Sequence, residues 1–197
     1  AIERSTFRGT AFPGDTHMQL ATVGLGRMGA NIVRRLIADN HECVVTDIDA
    51  DAVSELAAEG ATGAHDLIEL VEKLDAPRRI WMMVPVHFVD SLIDELAPLL
   101  DPGDVIIDGG NSFYRHDLDR ADRLAEHDLH YVDIGTSGGV YGLERGFCLM
   151  VGGEETVVQA MAPLLDTISP PIDSVPRTAN RSGEVIPAEH GWLHCGP

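Results

Sequence analysis

The chain has 197 residues, 44% of them hydrophobic, which suits one domain with a proper core and excludes a disordered or low-complexity segment. Acidic residues outnumber basic ones by 32 to 14, for a net charge of −18, and a field of that sign repels nucleic acid and anionic membrane surfaces. Three widely spaced cysteines, Cys43, Cys148 and Cys195, argue against a disulfide framework or a zinc site and for a reduced, cytoplasmic protein.

In chain order, residues 1–17 carry no hydrophobic period and are expected to be a poorly ordered leader. No basic stretch leads into an apolar one there. The longest apolar runs, such as Ile80 to Val86, are far too short to cross a bilayer. From Gln19 onward, short β-rich runs alternate with helical periods. The first strand candidate, Leu20–Leu25, runs into Gly24-Leu25-Gly26-Arg27-Met28-Gly29, a G-x-G-x-x-G sequence that opens a helix marked by Ile32, Leu36 and Ile37. The pattern alone is weak, and its position between strand and helix is what makes it meaningful. Gly24 permits the turn, Gly26 lets the backbone approach a pyrophosphate, and Gly29 lets helix and strand pack closely. The helix N-terminus offers unpaired N–H groups to an anion, which answers the difficulty of holding one on so acidic a chain.

The second strand candidate, Glu42–Asp47, ends on an acid eighteen positions after Gly29. A carboxylate there accepts hydrogen bonds from the adenosine ribose hydroxyls. The following residues, Ile48, Asp49, Ala50 and Asp51, include no cation for a 2′-phosphate. Two like charges about 4 Å apart at an effective dielectric near 20 repel by roughly 4 kcal/mol, so the expected cofactor is NAD, with NADP weaker.

Further strand candidates follow at Arg79–Val84, Asp104–Asp108, His130–Ile134 and Phe147–Val151. The helices between them show apolar residues at Val89, Leu92, Ile93, Leu96 and Leu100, and at Tyr114, Leu118, Ala121 and Leu124. This alternation predicts an α/β fold, a Rossmann-type doubly wound and mostly parallel sheet over residues 18–167. Two glycine clusters fall at strand ends, where open α/β sheets bind ligands: Asp108-Gly109-Gly110-Asn111-Ser112 and Gly135-Thr136-Ser137-Gly138-Gly139. Asn111 and Ser137 offer hydrogen bonds without charge. Each cluster taken singly also reads as a tight turn. Residues 168–190 contain four prolines and no sustained period, so 168–197 is expected to be a linker.

Other residues have plain readings. Cys43 and Cys148 fit small core hydrophobes. Lys73, the one lysine, reads as a solvated surface charge, and His87, His116, His130 and His194 are not spaced as a triad or a metal set.

The segments VGLGRMGANIVRRL, MMVP (82–85), IIDGGNSFYR, YVDIGTSGGVYGLERGFCLMVGG and HGWLHCGP together resemble the decarboxylating 6-phosphogluconate dehydrogenases, in their shorter bacterial and archaeal form, within the β-hydroxyacid dehydrogenase group. DGGNS is the discriminating piece. The resemblance implies that Gly24, Gly26, Met28, Val84 and Pro85 line the cofactor. It implies that Asn111 lies between cofactor and sugar, and that Ser137, Gly138 and Gly139 contact the substrate. Where NADP-using members have Asn-Arg-Thr, this chain has Asp47-Ile48-Asp49, which supports NAD.

The implied reaction oxidises 6-phosphogluconate and releases carbon dioxide to give ribulose 5-phosphate, with no metal. Its lysine base and glutamate acid lie, in the family, on a helix just after the motif matching His194-Cys195-Gly196-Pro197. This sequence stops there, so neither catalytic residue is expected in it. The fold is accordingly expected to be truncated before an all-helical C-terminal domain, and the full-length form to be a homo-oligomer. The competing readings are a related 3-hydroxyacid dehydrogenase and a non-catalytic NAD-binding module.

Overall fold

A computed structural model describes residues 17–174 and 176–197. The leader expected over residues 1–17 therefore lies, but for His17, outside the described residues. The elements run β1 (Gln19–Val23), α1 (Arg27–Ala38), β2 (Glu42–Thr46), α2 (Ala50–Glu59), β3 (Thr62–Gly63), α3 (Leu67–Glu72), β4 (Arg79–Met82) and α4 (Val89–Leu96). They continue with β5 (Val105–Asp108), α5 (Tyr114–Ala125), β6 (His130–Ser137), α6 (Gly142–Arg145), β7 (Cys148–Gly152), α7 (Glu155–Ala160), α8 (Ala162–Ile168) and β8 (Trp192–Gly196).

All eight strands join one sheet in the order β3-β2-β1-β4-β5-β6-β7-β8. The first six are parallel, β7 runs antiparallel to β6, and β8 runs parallel to β7. From β1 the chain builds outward to β3, then crosses back to place β4 on the other side of β1. The strand order reverses between β1 and β4, and open α/β sheets take ligands in the crevice outside the carboxyl ends of strands at such a switch point.

The strands separate two apolar layers because successive side chains point to opposite faces. Leu20, Trp81, Val105, Ile107 and Val132 face one core, closed by Ile32, Val33 and Leu36 of α1 and by Leu164, Leu165 and Ile168 of α8. Ala21, Ile80, Met82, Ile106 and Tyr131 face the other, closed by Leu70 and Val71 of α3, Ile93 and Leu96 of α4, and Leu124 of α5. Burial on both faces is why these strands read as nearly continuous apolar runs.

Four expectations are corrected. The linker expected over 168–197 ends in β8, where Trp192 is buried and its indole N–H donates to Asp166 at 2.7 Å. A strand of five residues with a turn-rich approach carries too little periodicity to announce itself. The face of α5 is also different: Tyr114 and Leu118 are exposed, while Asp117, Arg120 and Leu124 are buried. Cys148 is exposed, because alternate residues of β7 face outward, whereas Cys43 is buried as expected. Lys73 is no free surface charge: its ammonium donates to the Gly63 carbonyl and to Glu69, both at 2.6 Å.

Candidate functional site

The loop after β1 is shaped by its glycines. Gly24 has φ +97°, and its N–H donates to the Thr46 carbonyl at 3.0 Å, tying the ends of β1 and β2 together. A β-carbon on Gly24 would come within 2.7 Å of the Met83 carbonyl oxygen and 3.2 Å of Val84 Cγ1, so the β1 and β4 loops touch. A β-carbon on Gly29 would sit 2.1 Å from the Gly24 carbonyl oxygen, which is impossible without moving α1 off the strand. Gly26 differs from both. A β-carbon there would meet nothing within 4 Å, so the space is open to a ligand approaching the backbone.

Gly26 is the N-cap of α1 and supplies no side-chain cap, and the first turn contains no acidic residue. By contrast α2, α3, α4 and α5 each carry an acid in the first turn, and Asp49 and Asp66 cap α2 and α3. In this acidic chain the first turn of α1 therefore places no acid of its own and no side-chain cap over its N–H groups, which suits an anion such as a diphosphate.

Asp47 follows β2 and is half-buried. Its carboxylate accepts from the Leu25 N–H at 2.5 Å and from the Asp49 N–H at 2.8 Å. Each oxygen keeps a further lone-pair site for a hydroxyl. Beside it Ile48 is fully exposed. Met28 is partly buried against the α1-side core. Val84 is half-buried and Pro85 exposed, just past the end of β4.

The turn after β5 completes the crevice. Gly109 lies so close to Trp81 that a β-carbon would fall 1.8 Å from the indole nitrogen, and one on Gly110 would lie 3.4 Å from the Val84 carbonyl oxygen. Asn111 is exposed at the tip of this turn. The loops bearing Gly24, Val84 and Gly110 are thus contiguous. Ser137, Gly138 and Gly139 are exposed and stand farther out. β5 ends where Asp108 faces Asp133, and β6 runs four residues beyond that, about 13 Å at the usual strand rise. The turn at 139–141 that follows packs against α1.

Beneath the Gly109–Ser112 turn lies a charged cluster that sequence periodicity missed. Asp108 is buried; it accepts from the Gly110 N–H at 2.8 Å and the Ser112 hydroxyl at 2.6 Å. The Tyr131 hydroxyl lies 3.2 Å from Asp108 and 2.9 Å from Asp117. The Arg120 guanidinium pairs with Asp117 and Asp90, each at 2.8 Å, and lies 3.5 Å from Asp108. Burial works against the charge on Arg120, but hydrogen bonding to Asp90 and its other acidic neighbours outweigh it and raise its pKa. Burial first, then Asp117 and Asp108, pushes Asp133 up to about 6. The available signal was an Asp and an Arg three apart on α5, a spacing that places both on one helix face.

No group of three or more His, Cys, Asp or Glu side chains among the described residues is arranged to hold a metal ion. No helix among them is long and apolar enough to cross a membrane.

A family model described as the NAD binding domain of 6-phosphogluconate dehydrogenase matches residues 19–176. The chain is 42% identical over 153 residues to the NAD(+)-dependent, decarboxylating 6-phosphogluconate dehydrogenase of Haloferax volcanii, covering 77% of this chain and 50% of that protein. Among solved structures, 3-hydroxyisobutyrate dehydrogenase of Mycobacterium tuberculosis with L-serine matches with a TM-score of 0.75 at 22% identity. That match covers 91% of this chain and 55% of the other. The Plasmodium falciparum 6-phosphogluconate dehydrogenase, described with its cofactor NADP+ and with 6-phosphogluconate, gives a TM-score of 0.74 at 25% identity, covering 80% of this chain and 35% of the other. The chain spans about half the length of the curated relatives it matches first.

Proposed function

The chain belongs to the family defined by the NAD-binding domain of 6-phosphogluconate dehydrogenase, and from that premise we propose that it is the cofactor-binding part of an NAD-dependent enzyme converting 6-phosphogluconate to ribulose 5-phosphate and carbon dioxide. The observation that carries this reading is the α1 N-terminus. It is open at Gly26, uncapped and free of acids in its first turn, on a chain of net charge −18.

The residues fit a dinucleotide. Gly26 and the first turn of α1 bring backbone N–H groups to the diphosphate, in a loop that Gly24 turns and Gly29 packs against the strand, and Asp47 accepts from the adenosine ribose hydroxyls. Met28, Val84 and Pro85 line the crevice toward the nicotinamide. When bound, NAD supplies the acceptor for the hydride leaving the C3 hydroxyl carbon of the sugar acid. Asn111 hydrogen-bonds between cofactor and sugar, while Ser137, Gly138 and Gly139 hold the substrate with a hydroxyl and backbone N–H groups.

None of these side chains is a general base near neutral pH. The ammonium of the lone lysine, Lys73, is held by Glu69 and by the Gly63 carbonyl of β3, the edge strand two strands away from β1. The proton-transfer steps are therefore assigned to groups outside these 197 residues, and the chain by itself is expected to bind NAD without turning over 6-phosphogluconate.

NAD is favoured over NADP because Asp47 and Asp49 occupy the place where a 2′-phosphate would need a cation. Relatives use both cofactors, so the decisive experiment is calorimetric titration of the chain with each. NAD should bind at least tenfold tighter, which is about 1.4 kcal/mol. Equal affinities would refute the role of Asp47, and no binding of either would refute the cofactor reading. A 3-hydroxy acid without phosphate is the second reading, supported by the fold shared with 3-hydroxyisobutyrate dehydrogenase. The Asp108–Ser112 sequence ranks it second.

A further inference from the structure

Two of the loops lining the crevice belong to separate βα units. One leads from β4 through Val84 and Pro85 into α4; the other leads from β5 through Gly109–Ser112 into α5. A single buried side chain reaches the helix end of the first, at the start of α4, and the base of the other. Arg120, on the second turn of α5, uses Nε to hold Asp90, the second residue of α4, at 2.8 Å. Its Nη1 holds Asp117 at 2.8 Å and lies 3.5 Å from Asp108. Asp108 in turn folds the Gly109–Ser112 turn by accepting from the Gly110 N–H and the Ser112 hydroxyl. Tyr131 closes the cluster from β6 by bridging Asp117 and Asp108.

The composition of this cluster is unlike a core designed only for stability. A guanidinium that is 3% exposed faces two buried carboxylates, Asp108 and Asp117, and Asp117 Oδ2 is buried with no hydrogen-bond partner. Replacing such a buried charge network by apolar residues is often neutral or stabilising, so stability alone does not account for it. A rigid bridge between two ligand-facing loops does account for it. Side chains held by a second layer of hydrogen bonds keep the geometry a ligand requires.

We propose that Arg120 is a positioning residue that locks the β4 and β5 loops into one unit, through Asp90 and Asp108, and so builds the nicotinamide half of the site. The inference rests on the cofactor reading above. The adenine half, at Gly24–Gly29 and Asp47, is built by β1 and β2 and does not depend on Arg120. The two halves are therefore separable by ligand. ADP-ribose lacks the nicotinamide ring and enters the second half only with its terminal ribose, whereas NAD+ fills both.

The test compares calorimetric affinities of the 197-residue chain for NAD+ and for ADP-ribose, in the unaltered protein and in Arg120→Met and Asp90→Ala. The unaltered chain should bind NAD+ at least threefold tighter than ADP-ribose. Arg120→Met should erase that advantage and leave ADP-ribose affinity within twofold. Asp90→Ala, at a largely exposed side chain, should reduce the advantage with little folding risk, and it decides the matter if Arg120→Met does not fold. An unchanged advantage in Asp90→Ala, or equal weakening of both ligands in Arg120→Met, would overturn the inference and leave the cofactor reading standing. So would equal affinity for the two ligands in the unaltered chain. Failure of the unaltered chain to bind either ligand would overturn both readings together.

Discussion

The backbone N–H of Leu25 donates to the Asp47 carboxylate at 2.5 Å, so the acid at the end of β2 helps to hold the glycine turn after β1. Asp47 thus has two tasks. It shapes the loop that meets the diphosphate, and it presents lone pairs toward the ribose. Replacing it should cost both stability and specificity. Asp47→Ala is expected to lower stability by about 1–2 kcal/mol, since two backbone N–H groups lose their acceptor. The preference for NAD over NADP should fall from at least tenfold toward unity. Chemical denaturation and paired titrations check the two effects separately, and a retained preference would remove Asp47 from specificity.

Two glycines of the same motif should separate binding from folding. Gly26→Ala adds a β-carbon into open space, so the melting temperature should hold within about 2 °C, while NAD affinity falls at least tenfold. Gly29→Ala instead drives a β-carbon against the Gly24 carbonyl and should destabilise by roughly 1–3 kcal/mol, the usual scale of overpacking. Melting curves with and without NAD distinguish the two. Equal behaviour would mean that the open space at Gly26 is not where the ligand approaches.

Asp133 makes stability depend on pH in a stated direction. Its folded pKa, about 6, lies above the unfolded value near 3.9, because burial and the neighbouring Asp117 and Asp108 disfavour its charge. The folded state then holds more protons than the unfolded state between these values. This contribution is present below about pH 4 and lost as pH rises through 6. Asp133→Asn should therefore gain melting temperature over the unaltered chain at pH 7.5 and little at about pH 3.5. For a domain of this size 1 kcal/mol corresponds to about 2–4 °C. A gain independent of pH would show that Asp133 does not titrate in this range.

Thiol accessibility checks the sheet edge. Cys43 is buried in β2, and burial pushes its thiol up to about 12, whereas Cys148 and Cys195 are exposed on β7 and β8. An aromatic disulfide reagent at pH 8 should modify two thiols in the native chain and the third only after denaturation. Rapid reaction of Cys43 would contradict the packing of β2 beneath α1.

Much of this architecture is readable along the chain. Val44, Val45, Ile80, Trp81, Ile106 and Ile107 form runs with no polar face, and that alone implies a sheet covered on both sides. Gly24, Gly26 and Gly29 announce the anion-binding turn because their spacing is a local geometric demand. Asp47 is likewise marked by its distance along one βαβ unit. The inward face of α5 was not readable. Tyr114 and Leu118 form a plausible apolar stripe, and only the meeting of Arg120 with Asp90 and Asp108 turns Asp117 and Arg120 inward instead.

The sequence by itself determined the fold class, the order of the βα units and the place of the dinucleotide turn, since each follows from periodicity or spacing within about thirty residues. The tertiary structure decided what depends on partners distant in the chain. It set β8 against β7 across a turn-rich stretch without periodicity, joined Leu25 to Asp47, and gathered Asp90, Asp108, Asp117, Arg120 and Tyr131 beneath one loop. The physical reason is that a buried polar group is stable only where its partners converge. Convergence is a property of strand order and register, which no local stretch of sequence carries.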